Sequence, residues 1–244
     1  MTIKTSKLLE KVKNFFKLFH WAEILYLSIG LISVIVLSII AKSSALTIFF
    51  SIFAIIYVGT LAVGLKISIV FGIIQAILYI IQSFLSRNYG EAILNVAIVM
   101  PLLLASLYSW LKGSSKQSKV ESNKISISEW LCLFIVAICL TIALFFVLNA
   151  LNTPNLLIAC LSAFFTIIGN YLLMRKSIYM FLFFTCLNII ALLLWFLPII
   201  NGQGQSFGNI PIVIVFAVFI LSNLFGFINW KREEKSRKRM QKEN

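Results

Sequence analysis

The chain contains no aspartate and one histidine, and charged residues make up only 12% of it. Soluble domains carry about 25% charged residues and about 45–50% apolar ones. Here 61% of the residues are apolar, and the mean hydropathy is +1.01. This composition excludes an ordinary soluble domain and indicates an integral membrane protein.

Residues that bind metals or act as nucleophiles are equally scarce. The histidine, His20, lies beside Trp21 at the start of the first apolar segment. None of the four cysteines forms a C-x-x-C pair, and all lie inside apolar stretches, so we predict neither a disulfide framework nor a metal site. The sequence has no Gly-rich phosphate loop and no nucleophile elbow. We therefore expect no catalysis and no cofactor.

The eight acidic residues are all glutamates, and we place each at the end of an apolar segment or in a loop. Transporters that couple to a proton gradient usually need ionisable groups at membrane depth, so we do not expect such coupling. Neutral hydrogen bonding and ring stacking remain. They suit the binding and release of a small, polar, ring-containing molecule.

Eight apolar segments follow one another along the chain: 24–41, 45–65, 67–85, 92–111, 130–150, 156–174, 178–200 and 210–230. Each is near the ~20 residues that a helix needs to cross a bilayer. In lipid the backbone must satisfy its own hydrogen bonds, which favours helices. We therefore predict an all-α integral membrane protein with eight transmembrane helices.

The segments group into an N-terminal part and two triplets. A basic, amphipathic N-terminus (1–23) and an extra helix (24–41) precede a first triple-helix bundle (45–111). A Ser- and Lys-rich linker (112–129), a connecting helix (130–150), a second triple-helix bundle (156–230) and a basic tail (231–244) follow. Both triplets have basic residues after their first helix, a polar loop after their second and aromatics at their end. This weak symmetry predicts parallel repeats with a site between them.

The basic residues predict the orientation. With both termini in the cytoplasm, all but two of the 21 Lys and Arg residues lie on the cytoplasmic side, the exceptions being Lys42 and Arg87. This agrees with the positive-inside rule. The net charge of +13 therefore lies beside the membrane, where it attracts anionic lipid rather than nucleic acid.

Polar and aromatic side chains recur on single faces of three helices. They are Gln75, Tyr79 and Gln82 on the third helix, Phe181, Phe184 and Asn188 on the seventh, and Asn223, Gly226 and Trp230 on the eighth. An amide left unpaired in hydrocarbon costs several kcal/mol. The amides either bond across helices or line a cavity, and the pattern leaves both alternatives open.

The fourth segment contains an amide, Asn95, and a proline, Pro101. The proline removes one backbone hydrogen bond and favours a kink. Membrane helices tolerate this where neighbours or a water-filled cavity satisfy the freed carbonyl. We interpret Pro101 as a hinge, with a static kink as the alternative.

Several of these stretches together resemble the Pnu-type vitamin transporters, whose members carry nicotinamide riboside. The similar stretches are KIS (66–68), GIIQAILY (72–79), YGEAILN (89–95), Pro101, Trp110, LLMRK (172–176), Asn188 and N-x-x-G-x-x-N-W (223–230). The resemblance covers roughly residues 45–231. Its specificity lies in the order and spacing of these pieces.

The resemblance implies a fold of two parallel triple-helix bundles joined by one helix, as in the SWEET sugar transporters, with an extra N-terminal helix. It implies facilitated diffusion across a bacterial inner membrane, followed by phosphorylation by a cytoplasmic kinase that traps the substrate. It also implies a homotrimer. The binding residues that it implies are Gln75, Tyr79, Gln82, Asn95, Phe181, Phe184, Asn188 and Asn223.

The departures from the family pattern concern the substrate. Phe181 and Phe184 stand where members that carry nicotinamide riboside have tryptophans, and Gln75 stands where they have an asparagine. A phenylalanine still stacks on a ring but lacks the indole donor. Thiamine, riboflavin and deoxynucleosides therefore stay open as substrates. A function of another class, as the substrate-binding subunit of an ATP-driven importer, also stays open.

Gln75→Leu tests the expected site. Because the substitution replaces an amide by an apolar group of similar size, we expect it to abolish substrate uptake while the protein still reaches the membrane. Uptake by cells, normalised to the amount of protein in the membrane fraction, measures this. Unchanged uptake would remove Gln75 from the site.

Overall fold

The computed structural model describes residues 19–112, 120–151, 155–201 and 210–243. These residues form eight helices, all long and apolar enough to cross a membrane. They are α1 (Trp21–Ile40), α2 (Ala45–Ala62), α3 (Ser68–Leu85), α4 (Tyr89–Lys112), α5 (Ile127–Ala150), α6 (Leu156–Met174), α7 (Met180–Ile200) and α8 (Ile210–Glu243). The prediction of an all-α membrane protein with eight spanning helices is confirmed.

Local sequence signals explain where several helices begin. Ser44 precedes α2, and its hydroxyl accepts a hydrogen bond from the backbone N–H of Thr47. Ser126 caps α5 in the same way through the N–H of Glu129. At α1 the Glu23 carboxylate accepts the backbone N–H of His20, the residue that precedes the helix. Each contact satisfies a terminal N–H that has no partner within its helix.

The helices pack in a connected ring around the middle of the molecule. α3 lies between α2 and α4, and α7 lies between α6 and α8. The two groups meet where α2 packs against α8 and where α4 packs against α6. α1 lies against α8 and α2, while α5 lies against α6. A space therefore remains between six helices, with α1 and α5 outside them.

The turns after α2 and α6 have the same backbone geometry. Gly64 (φ +78°) and Lys176 (φ +59°) both adopt the left-handed conformation just after the helix ends. Their N–H groups donate to the carbonyls of Leu61 and Leu173, at 2.9 and 3.0 Å. The next N–H in each turn also bonds back into its helix, as in a Schellman motif. Glycine adopts this conformation without strain, whereas Lys176 does so at some cost.

Two tryptophans tie the groups together at these turns. The Trp110 indole at the end of α4 donates to the Leu173 carbonyl of α6 at 3.0 Å. The Trp230 indole of α8 donates to the Leu61 carbonyl of α2 at 3.3 Å. Both tryptophans are almost fully buried, and their rings lie 6.2 Å apart. The contacts are reciprocal, because the third helix of each group bonds to the first helix of the other.

We call this end of the molecule the basic end, because Lys66, Lys112, Arg175, Lys176 and Lys231 lie there. The described part of the linker, 120–126, crosses it. Its Val120 N–H donates to the Gly64 carbonyl, and its Asn123 N–H donates to the Lys176 carbonyl, both at 3.0 Å. The linker therefore contacts both turns and spans the two groups of helices. Residues 113–119 of the predicted linker lie outside the described residues.

Ionic contacts hold α5 at the basic end. Two guanidinium nitrogens of Arg175 donate to the Glu129 carboxylate, at 2.6 and 3.1 Å. The Tyr171 hydroxyl donates to the same carboxylate at 2.8 Å. The hydrogen bond and the negative charge of Glu129 raise the pKa of Arg175. Burial and the nearby charge of Lys66 lower the pKa of Lys176, whose ammonium donates to the Ser109 carbonyl.

Several sequence-based bounds need correction. α1 begins at Trp21 rather than 24, and α2 ends at Ala62 rather than 65. α8 continues to Glu243, although we predicted a tail after residue 230, because Lys, Arg and Glu favour helix and Lys238 pairs with Glu234 one turn earlier. α5 begins at Ile127 rather than 130, since Ser126 caps it. α4 begins at Tyr89 rather than 92 and includes Glu91, which we assigned to a loop.

The single substitutions Trp110→Phe and Trp230→Phe test the reciprocal contacts. Each removes an indole donor that links two groups of helices, although the carbonyl keeps the N–H of its own turn. We therefore expect a loss of about 1 kcal/mol of stability. Thermal unfolding of the purified protein in detergent measures this. Trp21→Phe is the matched control, because the Trp21 side chain is exposed. An equal shift in all three variants would contradict the structural role of these indoles.

Candidate functional site

A cavity of about 740 Å³, its mouth included, lies between α2, α3, α4, α6, α7 and α8. Its wall combines aromatic rings with side-chain amides. The rings belong to Tyr57, Tyr79, Phe184, Phe216 and Phe219. The amides belong to Gln75, Asn95, Asn170, Asn188 and Asn223. Mostly apolar walls with a few polar groups are typical of sites for small molecules.

Six of the eight residues expected at the site line this one cavity. They are Gln75, Tyr79, Asn95, Phe184, Asn188 and Asn223, and they come from α3, α4, α7 and α8. Helical spacing explains why Gln75 and Tyr79 share a face, as do Phe184 and Asn188. Helix packing brings the faces together.

The amides differ in how firmly the protein holds them. The Asn95 amide NH₂ donates to the Glu91 carbonyl at 2.8 Å, and that of Asn170 donates to the Thr166 carbonyl at 2.9 Å. Each bond fixes the side chain and leaves its oxygen available as an acceptor. The Asn223 side chain is 2% exposed, and its nitrogen has no partner among the described residues. A buried donor without a partner is costly, so a ligand acceptor would satisfy it.

A carboxylate also lies in the cavity wall, which the sequence analysis did not expect. Glu91 is in the first turn of α4, and it is 8% exposed. Its carboxylate accepts hydrogen bonds from the Ser162 hydroxyl at 3.0 Å and from the Tyr79 hydroxyl at 3.3 Å. The Trp195 indole donates to the Tyr79 hydroxyl at 2.9 Å. We placed each acid at the end of an apolar segment or in a loop. Glu91 does lie at the start of α4, but packing against α3 and α6 buries it, which we did not expect.

Tyr79 is held by rings as well as by hydrogen bonds. Phe50 stacks on it at a centroid distance of 5.3 Å, and Phe216 meets it edge-on at 6.3 Å. With Trp195 bonded to its hydroxyl, Tyr79 has little freedom to rotate. The cavity is therefore preorganised around Tyr79 and Glu91.

Two of the expected residues, Gln82 and Phe181, do not line this cavity. Gln82 accepts a hydrogen bond from the Thr47 hydroxyl at 3.1 Å. This bond links α3 to α2 near the end of the molecule that lies opposite the basic end. Phe181 packs edge-on against Trp230 at 5.5 Å and lies beneath the cavity at the basic end. It is 1% exposed, so it closes the interior rather than lining it.

The four residues of the N-x-x-G-x-x-N-W motif of α8 make different contacts. Asn223 lines the cavity. Gly226 makes room for the Phe181 ring, which a side chain at this position would meet. The Asn229 amide donates to the buried Glu23 carboxylate of α1, and Trp230 bonds to α2. The motif thus runs from the cavity wall to the helix contacts at the basic end.

Pro101 does not line the cavity and is exposed on the outer surface of α4. A π-helical turn, Asn95–Val99, directly precedes it. The missing N–H of Pro101 leaves the Ala97 carbonyl without its usual donor, and the N–H of Met100 bonds five residues back, to Asn95. Asn95 and Val99, at the two ends of the turn, both line the cavity. Single π turns often mark functional sites.

Sequence reasoning missed Glu91, Asn170 and Tyr57. Asn170 carried a usable signal, since it is an amide inside an apolar run, as Asn188 is. Glu91 was within a recognised stretch but was assigned to a loop. Tyr57 had no signal beyond its aromatic ring. Within the described ranges, no three His, Cys, Asp or Glu side chains lie close enough to hold a metal ion.

Comparison with known proteins gives consistent matches. Residues 44–232 match the profile of the nicotinamide mononucleotide transporter family. The nicotinamide riboside transporter PnuC of Neisseria mucosa is 20% identical over 167 residues, which cover 66% of this chain and 62% of the relative's length. The crystal structure of the vitamin B3 transporter PnuC superposes with a TM-score of 0.75 at 19% identity, covering 88% of this chain and 92% of that one. At this identity the superposition establishes the fold.

Two substitutions test whether an amide that lines the cavity and an amide that links two helices differ in their effect on ligand binding. Asn188→Leu places an apolar side chain in the cavity wall, and we expect it to weaken the binding of a small, polar, ring-containing ligand by roughly 10-fold or more, since a hydrogen bond to the cavity wall is lost. Gln82→Leu, outside the cavity, should lower the melting temperature but leave this affinity unchanged. Calorimetric titration of both purified variants measures the difference. An equal loss of affinity in both would show that the cavity is not the binding site.

Proposed function

The chain belongs to the nicotinamide mononucleotide transporter family, and from this premise we propose that it carries a nucleoside-like vitamin precursor across the membrane by facilitated diffusion. Nicotinamide riboside is the substrate that we propose first. The observation that carries the proposal is the cavity, in which five amides and five aromatic rings face one buried space. Amides match ribose hydroxyls and a ring carboxamide, and aromatic rings stack on a planar base.

The charge of the cavity favours a nucleoside over a nucleotide. Among the described residues, the cavity wall includes the carboxylate Glu91 and no Lys, Arg or His. Proteins bind phosphates with such cations or with helix N-termini. A phosphate beside Glu91 would be repelled and would lose its hydration without compensation. We therefore propose a substrate without a phosphate group.

We assign the roles within the site from the positions of the side chains. Gln75, Asn188 and Asn223 would bond the hydroxyls or the carboxamide of the substrate, because all three line the cavity and the Asn223 nitrogen has no partner among the described residues. Asn95 and Asn170 would accept through their free oxygens. Phe184 and Tyr79 would stack on the ring. Phe181 and Gln82 would act only through packing.

The architecture supports alternating access. We propose that α2–α4 and α6–α8 are parallel repeats joined by α5, as in SWEET-like folds. Their matching turns at Gly64 and Lys176 and the reciprocal tryptophan contacts support this. Movement of one repeat against the other would open the cavity to each side in turn, with the π turn before Pro101 as the hinge.

The cellular setting follows from the same proposal. The protein would lie in a bacterial inner membrane with the basic end and both termini in the cytoplasm, as the positive-inside rule predicts. A cytoplasmic kinase would phosphorylate the substrate and trap it, without binding the transporter stably. The family resemblance suggests a homotrimer.

Two alternatives compete with this proposal. Thiamine, riboflavin or a deoxynucleoside could occupy the same cavity, because Phe184 stacks on many rings. The protein could also be the substrate-binding subunit of an ATP-driven importer.

Uptake by proteoliposomes tests the proposal. With the membrane potential clamped at zero, nicotinamide riboside should enter until the internal and external concentrations are equal, and an imposed pH gradient should not change that endpoint. Radiolabelled substrate and filtration measure uptake. Unlabelled thiamine, riboflavin and a deoxynucleoside serve as competitors, and liposomes with Gln75→Leu serve as the control.

Each other outcome identifies a different function. Binding without uptake would indicate the subunit of an ATP-driven importer. Accumulation above the external concentration under a pH gradient would indicate proton coupling through Glu91. If thiamine or another vitamin competes with higher affinity than nicotinamide riboside, that vitamin becomes the proposed substrate.

A further inference from the structure

The proposed function assigns no role to Glu91, although its carboxylate lies in the cavity wall. The cavity wall otherwise holds neutral amides, hydroxyls and rings. A neutral glutamine could link α3, α4 and α6 as well as an acid does. Placing a carboxylate in a low-dielectric interior costs free energy unless a positive charge or several donors compensate it. The described residues supply two hydroxyl donors and no cation within the cavity.

The geometry leaves the carboxylate able to act on a ligand. Ser162 donates to one oxygen and Tyr79 to the other. A carboxylate has about four lone-pair sites, so acceptor capacity remains on the side that faces the cavity. Trp195 fixes the Tyr79 hydroxyl, which points its proton at Glu91. The carboxylate is thus held in place before any ligand arrives.

The surroundings favour a ligand that is a cation with a flat ring. Tyr79, Phe184 and Phe216 line the same cavity, and aromatic faces attract cations. An organic cation would supply the missing positive charge, while its ring would stack on these side chains. A neutral nucleoside would leave Glu91 uncompensated. An anion would be repelled.

We infer that Glu91 is the counter-charge that makes this transporter select substrates with a cationic ring, such as a pyridinium or a thiazolium, over neutral relatives of the same shape. The inference rests on the proposed function and deepens it. Ser162 and Tyr79 act as positioning residues, because they orient the carboxylate. The inference predicts that the charge of the ligand, more than its ring substituents, determines its affinity.

The test uses two ligands that differ in charge and little in shape. Nicotinamide riboside carries a positive ring, and its 1,4-dihydro form is neutral with the same ribose and carboxamide. The wild-type protein in detergent should bind the cation at least about 30-fold more tightly than the dihydro form, the usual effect of pairing a buried charge. Calorimetric titration gives both dissociation constants, and thiamine against uridine repeats the comparison with a second cation.

Glu91→Gln keeps the size of the side chain and removes its charge. It should raise the Kd of the cation at least about 30-fold and leave that of the dihydro form within about threefold, about what a surface charge change does. Glu121→Gln is the matched control, since Glu121 is exposed and lies outside the cavity. Ser162→Ala should produce a smaller loss, confined to the cation, and melting temperatures confirm that the variants are folded.

The outcomes separate this inference from the proposed function. Wild-type protein that binds both ligands equally, or a Glu91→Gln variant that loses both in parallel, would overturn the role of Glu91 and leave the transporter proposal standing. Wild-type protein that binds none of the four probes would overturn both. A Glu91→Gln variant that folds and binds the cation normally would show that the carboxylate serves packing alone.

Discussion

The bilayer core contains no water, so a polar group there can form hydrogen bonds only within the protein. The rest of the structure depends on this constraint. It makes every spanning segment a helix, and it leaves the helix ends and the polar side chains to be satisfied. Trp110 and Trp230 donate to carbonyls in the last turns of α6 and α2. Gln82 satisfies Thr47, and Asn229 satisfies Glu23. These bonds join helices that lie far apart in the sequence.

Several polar side chains at the cavity keep hydrogen-bonding capacity that a ligand could use. Asn223 keeps an unpaired donor, and Asn95 and Asn170 keep free acceptors, all at the same cavity. A protein that satisfied these groups internally would be more stable but would have no affinity for a polar solute. The cavity thus offers both a donor and acceptors to a polar ligand. Its rigidity comes from Tyr79, which rings and hydrogen bonds hold from several helices.

The contacts at the basic end join the two groups of helices. The linker and both tryptophans bond to backbone carbonyls of the turns at Gly64 and Lys176. These contacts lie at one end, below the closing ring of Phe181. The π turn of α4 lies beside the cavity instead. In the proposed function, the contacts at the basic end would hold the two groups together while the π turn beside the cavity adjusts.

The sequence by itself determined the class of protein and most of the polar inventory. The length of an apolar run can be read directly from the order of residues, so the eight helices were predictable. Helical spacing then placed Gln75 on the same face as Tyr79, and Phe184 on the same face as Asn188. Only the tertiary structure decided which amides pair across helices and which face the cavity, because that depends on how helices rotate against each other. Gln82 and Asn188 look alike in sequence, yet α2 provides a partner for the first, and the second faces the cavity. Glu91 lines the cavity because α4 begins a turn earlier than its apolar run and packs against α3 and α6, each of which supplies one hydroxyl donor to the carboxylate.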